Sequence, residues 1–314
     1  MFGITTTAGL WVTYNTVLEY LDFEVITQVK IVNESPMDFP SVFFCIKNTE
    51  TTSNISLKKL IKKCKFADRD CDVDSDIEYL KTGFPIFKDC MIFNGYINNQ
   101  IKYKSDEVNL SSGLRIQFLY YPGSKFKIFI TENNIKNIGN SVPLILENPD
   151  LYDITITKTV DRKLGIPYNN CSRITDLSYN RWNCIEKCIH DKVAYKYNCS
   201  MVGYYQVNNR VICSKKFIKR RSFSVQCEIN CPEKCDSIIY EYSSREHDQN
   251  ITFYFFRIYF SRLTYLDLKQ IPKMTDFDLV NSIGGSLGLF VGFQFMSLIE
   301  ILQYVIDVIF IMIY

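Results

Sequence analysis

The chain has 314 residues, of which 47% are apolar and 22% charged, and its formal net charge is +2. This composition excludes an intrinsically disordered chain, and the near balance of basic and acidic residues disfavours a nucleic-acid partner. Only two histidines occur, His190 and His247, so a histidine-based catalytic or metal site has little material. We expect one large domain or two modest ones, with no cofactor and no bound metal.

The first element is an uncharged apolar stretch over residues 1–18. A secretory signal peptide is the obvious alternative, but the stretch lacks a basic start and a clear small-residue cleavage site. We therefore predict a first transmembrane helix over residues 1–22 that is short at its N-terminus.

The central region, residues 23–276, has the pattern of a β-rich domain. Residues 178–195 and 214–220 within it have a helical or loop-like pattern instead. The runs whose alternation and β-branched or aromatic content predict strands are 25–32, 114–121, 125–131, 152–160 and 251–259.

All twelve cysteines lie within this central region, between Cys45 and Cys235. An even number confined to one region predicts a disulfide framework in an oxidising compartment. A zinc site built on Cys184, Cys188 and His190 is the weaker alternative. Structural zinc sites prefer such a pair together with a second cysteine cluster, which Cys227, Cys231 and Cys235 could just supply.

Glycosylation sequons occupy the same region as the cysteines. Two of the six, at Asn170 and Asn198, have cysteine at the middle position and are poor acceptors if that cysteine is paired. The four favourable acceptors are Asn33, Asn54, Asn109 and Asn250. We therefore expect the central region to lie outside the cell.

The last element is a long apolar stretch over residues 279–314, whose only charges are Glu300 and Asp307. A hydrocarbon core of about 30 Å needs about 20 helical residues, so the stretch is long enough to span a bilayer. A buried helix of a soluble domain is the alternative, but this length and apolarity are rare there. We predict a second transmembrane helix over residues 277–314.

This last stretch carries a stripe of polar and small residues. The positions that fall within an arc of roughly 120° on a helical wheel are Gly285, Gly288, Gly292, Glu300, Gln303 and Asp307. Asn281 and Ser282 lie at the outer end of the stripe. Either the stripe packs against another helix, or it lines a water-filled pore formed by several copies.

Several motifs, in chain order, resemble those of the degenerin/epithelial sodium channel/acid-sensing ion channel family. They are FPSV at 39–42 followed by Cys45, KDCMIFN at 88–94, PYNNC at 167–171, the cysteine spacing from 184 to 235, and IGGSLGLFVG at 283–292 followed by SLIE at 297–300. Together they cover essentially the whole chain.

The resemblance implies an α+β membrane protein with two transmembrane helices that flank a large, disulfide-rich extracellular domain. That domain would contain a palm β-sheet, a β-ball and a helical thumb over about residues 171–240. Its finger would be reduced, because only 18 residues separate Cys45 from Cys64. The resemblance also implies a homo- or heterotrimer in the plasma membrane with both termini cytoplasmic.

Cysteine pairing cannot be deduced from spacing alone, but the resemblance implies it. The implied disulfides are Cys45–Cys90, Cys64–Cys71, Cys171–Cys235, Cys184–Cys231, Cys188–Cys227 and Cys199–Cys213. An aromatic contact at the membrane wrist is likewise implied, between Tyr168 and either Tyr20 or Phe23.

The function that the resemblance implies is passive Na⁺ conduction across a lipid bilayer, with block by amiloride in many members. The selectivity filter would be Gly292, Phe293 and Gln294, where Gln294 stands in place of the usual small hydroxyl residue. The positions implied to line or gate the pore are Asn281, Ser282, Gly285, Gly288, Glu300, Gln303 and Asp307.

Two further function classes compete with a channel. A non-conducting auxiliary subunit or a receptor-like membrane glycoprotein is the runner-up. An enzyme is not expected, because no nucleophile, base and orienting residue stand out as a set and no phosphate-binding loop occurs.

Overall fold

The computed structural model describes residues 2–47, 57–80, 89–95, 103–120, 125–133, 143–174, 179–199, 221–248, 251–291 and 295–313. Within these ranges the helices are α1 (Phe2–Leu21), α2 (Leu57–Leu60), α3 (Arg181–Tyr197), α4 (Arg221–Asn230), α5 (Asp276–Val291) and α6 (Phe295–Ile313).

The strands occupy the region between α1 and α5. They are β1 (Val25–Asn33), β2 (Met37–Asp38), β3 (Ser41–Lys47), β4 (Ile61–Phe66), β5 (Arg69–Asp70), β6 (Ile77–Leu80), β7 (Asp89–Phe93), β8 (Lys104–Ser105), β9 (Leu114–Leu119), β10 (Lys125–Thr131), β11 (Leu144–Leu146), β12 (Leu151–Arg162), β13 (Cys171–Ser172), β14 (Glu233–Lys234), β15 (Asp236–Glu246) and β16 (Phe253–Pro272).

The chain forms two compact units. The smaller unit comprises residues 1–28, 166–169 and 270–314, and it contains α1, α5 and α6. The larger unit comprises residues 29–165 and 170–269. Most of the strands and the helices α2, α3 and α4 belong to the larger unit.

A seven-stranded sheet is the main layer, with the strand order β15-β12-β16-β9-β4-β5 and β1 paired to β16. In β16, buried and half-buried residues alternate from Phe253 to Phe260, as expected for a strand with one face on a core. Strand β12 runs parallel to β16 and antiparallel to β15.

A second sheet of five strands, ordered β11-β10-β3-β7-β6, forms the other layer. Cys45 in β3 and Cys90 in β7 stand opposite each other in register, and they form a disulfide. The bond therefore joins two neighbouring strands at the point where their side chains already meet.

The core between these sheets is rich in phenylalanine. Phe44 of β3 lies 5.3 Å from Phe118 of β9, and Phe126 of β10 lies 5.9 Å from Phe256 of β16, measured between ring centroids. All four side chains are fully buried. Such rings bury large apolar areas and dominate core energetics.

The helices α3 and α4 form a separate, disulfide-linked layer. Cys184 and Cys188 are four residues apart and so share one face of α3, where they bond to Cys231 and Cys227 respectively. The apolar residues buried beside these bonds are Ile185, Ile189 and Val193.

Five of the six implied disulfides are present in the structure. They are Cys45–Cys90, Cys64–Cys71, Cys171–Cys235, Cys184–Cys231 and Cys188–Cys227. The sixth implied pair includes Cys213, which lies outside the described residues.

The sequence predicts one helix over residues 277–314. The structure contains α5 and α6 there, and residues 292–294 between them lie outside the described ranges. Judged on the described residues alone, none of the helices combines the length and the hydropathy required of a membrane span.

Candidate functional site

The candidate site lies in the smaller unit and begins with a polar face on α6. Glu300, Gln303 and Asp307 are spaced by three and four residues, so they share one face of the helix. All three are exposed. Elsewhere on this helix large apolar residues are exposed too, for example Ile311 at 79% and Met312 at 78%. An apolar helix surface of this extent indicates an apolar environment or a partner around it.

A second polar face lies on α5. Asn281, Gly285 and Gly288 follow the same three-and-four spacing, and Ser282 is adjacent. A methyl group added at Gly284 or Gly285 would meet no atom within 4 Å. These two glycines are therefore not required by packing within the chain, and they leave room for close approach by another helix.

The start of α5 is set by a capping box at Thr275. The Asp278 backbone N–H donates to Thr275 Oγ1 at 3.2 Å, and the Thr275 N–H donates to Asp278 Oδ2 at 3.0 Å. This reciprocal pair satisfies two backbone donors that would otherwise be unpaired at the helix start. Acidic residues at Asp276 and Asp278 also suit the positive end of the helix dipole.

The α1 helix packs against α5, and their adjacent ends are linked by a hydrogen bond. The Tyr20 hydroxyl donates to Asp276 Oδ1 at 2.7 Å. Tyr20 lies in the last turn of α1 and Asp276 is the first residue of α5. The bond therefore ties the end of one helix to the beginning of the other.

The implied wrist contact is made by Phe23. Its ring lies 5.5 Å from the Tyr168 ring in an edge-to-face arrangement at 84°, and 6.1 Å from the Tyr20 ring. Phe23 has a φ of 51°, a left-handed conformation that costs an L-residue roughly 1–2 kcal/mol. The two ring contacts help to offset that cost.

Sequence reasoning missed an ionic cluster beside this contact. The Lys273 ammonium is 2.6 Å from Glu24 Oε2 and 2.9 Å from Glu19 Oε1. The carboxylates of Glu24 and Glu19 raise the pKa of Lys273 above its ordinary value. No local sequence pattern signals this cluster, because Lys273 lies 249 positions from Glu24 along the chain.

The other predicted site residues either lie outside the described ranges or are exposed on the surface. The proposed filter residues Gly292, Phe293 and Gln294 lie outside the described ranges, as do the sequons at Asn54 and Asn250. The remaining two acceptors, Asn33 and Asn109, are exposed. The amide oxygen of Asn109 accepts hydrogen bonds from the backbone N–H and the hydroxyl of Ser111, at 2.8 and 2.6 Å.

The chain is similar to several curated proteins and to a solved structure, each at 25% sequence identity or less. Degenerin deg-1 of Caenorhabditis elegans is 20% identical over 311 aligned positions, which cover 81% of this chain and 39% of that protein. Degenerin del-1 of the same organism is 23% identical over 304 positions, covering 79% and 44%. Pickpocket protein 19 of Drosophila melanogaster is 25% identical over 193 positions, covering 51% and 37%. A cryo-EM structure of a proton-activated chloride channel aligns over 100% of this chain and 96% of that one, with 9% identity and a TM-score of 0.42.

The chain spans about two fifths of the length of the curated relatives it matches, between 37% and 44%. The family model described as "Amiloride-sensitive sodium channel" matches residues 46–304, and so includes the strands from β4 to β16, the disulfide-linked helices, α5 and the first part of α6. The chain therefore belongs to the amiloride-sensitive sodium channel family.

Proposed function

We propose that the chain is a subunit of a trimeric, sodium-permeable cation channel. The observation that carries this proposal is the polar face of α6, on which Glu300, Gln303 and Asp307 align along an otherwise apolar helix. Membership of the amiloride-sensitive sodium channel family supports it.

The polar face needs water or a partner if α6 lies in a bilayer. A charged side chain at mid-bilayer costs at least about 2.5–3.5 kcal/mol on insertion scales, and this cost falls when the group faces an aqueous cavity. One stripe cannot enclose such a cavity alone, so several copies are required. Rings of Glu300 and Asp307 would then concentrate cations along the pore.

The filter belongs to the segment between α5 and α6. In this proposal backbone carbonyls at Gly292, Phe293 and Gln294 replace part of the hydration shell of the ion. Glycine is suited to that role because it tolerates non-helical backbone. Gln294 replaces the usual small hydroxyl residue, so the preference for Na⁺ over K⁺ is the property most sensitive to this position.

The proposed topology places residues 1–22 and 277–314 in the plasma membrane and both termini in the cytoplasm. The disulfides of the central domain support an extracellular location, because such bonds persist in oxidising compartments. The exposed sequons at Asn33 and Asn109 fit the same location.

A non-conducting auxiliary subunit is the second candidate. Gln294 favours it, because a long amide side chain replaces a small hydroxyl residue at the position proposed to be narrowest. The two candidates differ in whether this chain alone passes current.

The test is voltage clamp of cells that express the chain, with bath Na⁺ exchanged for K⁺ and for a large impermeant cation. Asn281→Phe is included as a variant expected to hold the pore open, and amiloride as a blocker. We expect a Na⁺-dependent current whose ion preference changes with Gln294→Ser. Silence of both forms despite surface expression would overturn the homomeric channel and favour the auxiliary subunit.

Substitutions of the two acidic residues on the polar face of α6 test its proposed location in the pore. Glu300→Gln and Asp307→Asn are expected to lower single-channel Na⁺ current several-fold, because each removes a ring of negative charge. Asp68→Asn is the matched control, since that side chain is 98% exposed in the larger unit. An equal effect of all three substitutions would contradict a pore location for α6.

A further inference from the structure

One cation links the segments at which both proposed membrane spans enter the rest of the chain. Lys273 follows β16 and precedes α5, whereas Glu19 lies in the last turn of α1 and Glu24 precedes β1. The Lys273 ammonium contacts Glu24 at 2.6 Å and Glu19 at 2.9 Å. These residues are 249 and 254 positions away along the chain, so the contacts exist only because the ends of α1 and α5 lie together.

Two hydrogen bonds also join the end of α1 to the segment that begins α5. The Lys273 N–H donates to the Glu24 carbonyl at 2.9 Å, and the Tyr20 hydroxyl donates to Asp276 at 2.7 Å three residues further on. The backbone bond is independent of the Lys273 side chain. Substitution of the Lys273 side chain therefore removes the ionic contacts but leaves this backbone hydrogen bond in place.

The side-chain exposures bear on how strong these contacts are. Lys273 is 44% exposed, Glu19 48% and Glu24 53%, and a single exposed ion pair usually contributes little to stability. Here one ammonium holds two carboxylates on either side of the turn that ends α1. The ammonium therefore joins the last turn of α1, the residue before β1 and the segment before α5 at one point.

We propose that Lys273 is a positioning residue that locks the end of α1 to the start of α5 and thereby sets the gating equilibrium of the channel. An interaction shifts a two-state equilibrium only if it is stronger in one state than in the other. The contacts of Lys273 with Glu19 and Glu24, here called the ionic lock, shift the equilibrium between closed and open channels if opening separates the end of α1 from the start of α5. The part of this inference that concerns channel gating rests on the proposed function.

The first test is a charge-exchange cycle read out as open probability. Lys273→Glu and Glu24→Lys are each expected to change the ratio of open to closed channels on the order of fivefold, and in the same direction. The double variant should return toward the wild-type ratio, and Lys273→Arg should stay near it. Effects of the two single substitutions that simply add would overturn the lock.

The second readout requires no current. Ile26, two residues after Glu24 in β1, is 48% exposed, and among the described residues no cysteine is free. Ile26→Cys therefore supplies a thiol, outside both proposed membrane spans, that a membrane-impermeant reagent can label on the cell surface. Adding Lys273→Gln should change its labelling rate several-fold, whereas adding Lys273→Arg should not.

The matched control is the exposed pair formed by Lys125 and Glu147, which are 48% and 60% exposed and 2.5 Å apart. Its charge exchange should leave both readouts unchanged. A chain that carries no current but shows the labelling change disproves the homomeric channel and retains the lock. A chain that conducts but shows no dependence on Lys273 in either readout disproves the lock and retains the channel.

Discussion

Glu132, directly after β10, lies beside a cavity of about 260 Å³ in the larger unit. Lys163, Arg181 and Lys234 also line the cavity. Burial raises the pKa of Glu132, and the nearby positive charge of Lys234 only partly offsets that effect. The ionised carboxylate is therefore held in a place that favours its neutral form.

The sign of the resulting pH dependence follows from linkage. A carboxyl whose pKa is higher in the folded state binds its proton more tightly there, so folding stability falls as pH rises through the pKa of the unfolded chain and up to that of the folded one. We expect Glu132→Gln to raise the free energy of unfolding at pH 7 on the order of 1 kcal/mol. At pH 4 and below the gain should vanish.

Urea unfolding at both pH values measures this difference. Asp68→Asn, which removes a negative charge from an exposed side chain in the same unit, should show no such gain at pH 7. A stabilisation by Glu132→Gln of equal size at pH 4 and pH 7 would mean that the carboxyl charge is not its cause. The sequence alone could not single out Glu132 among 34 acidic residues, because its burial depends on α3 and β14, which are distant along the chain.

At the scale of elements, local pattern predicts several strands of both sheets well. The run 125–131 coincides with β10, and the runs 114–121 and 152–160 match β9 and β12 to within two residues at each end. In β9, buried and half-buried residues alternate from Leu114 to Phe118, whereas the last four residues of β10 are all buried, as in a strand covered on both faces.

Local pattern fails where pairing is long-range or where covalent bonds position an element. The predicted strand 251–259 continues to Pro272 as β16, whose second half is no longer alternately buried and exposed. The sequence prediction misses the helix α4, which is only ten residues long, a length at which a helix is marginal without tertiary contacts, and Cys227 anchors it to α3 through a disulfide.

Gly113 allows β9 and β16 to pair. A Cβ atom at this position would lie 2.0 Å from the Ile258 carbonyl oxygen and 2.8 Å from the Tyr259 Cα. Because both are backbone atoms of β16, the strand itself would have to move. We expect Gly113→Ala to lower the free energy of unfolding by about 2 kcal/mol or more, as overpacking does.

Gly165→Ala is the matched control for this substitution. Its added methyl would lie 3.7 Å from the Cys171 carbonyl oxygen and 3.8 Å from Cys235 Sγ, which is ordinary van der Waals contact. Calorimetric unfolding should separate the two variants. A Gly165→Ala loss as large as that of Gly113→Ala would disprove the steric explanation.

At the scale of the whole molecule, disulfides close loops of very different lengths. The nested bonds Cys171–Cys235, Cys184–Cys231 and Cys188–Cys227 span 64, 47 and 39 residues, whereas Cys64–Cys71 spans 7. In the chain-entropy account, a longer loop restricts the unfolded chain more and so stabilises the fold more.

We expect the double substitution of Cys45 and Cys90 by serine, whose bond closes 45 residues and lies inside no other disulfide loop, to lower the free energy of unfolding by about 2–4 kcal/mol. The same change at Cys64 and Cys71 should cost about 1.5 kcal/mol less, from the logarithmic dependence on loop length. Denaturant unfolding of the two variants tests the ranking. A larger loss at Cys64 and Cys71 would show that packing around the bond outweighs loop closure.

Much of the candidate site could be anticipated from the sequence, but not its ionic lock. Spacing alone places Glu300, Gln303 and Asp307 on one face, because helical periodicity is a local property. The contact of Lys273 with Glu24 joins residues 249 positions apart. Such a pair depends on how the helix ends meet, which no local pattern records.

The phenylalanine core also determines which spectroscopic signals report on folding. The two tryptophans are Trp11 in α1 and Trp182 in α3, whereas the space between the sheets is filled by rings such as Phe44, Phe118 and Phe256. Neither tryptophan belongs to a strand, so indole emission does not report directly on the strands of either sheet. Near-ultraviolet circular dichroism, in the bands of phenylalanine and tyrosine, is the optical signal that follows the core itself.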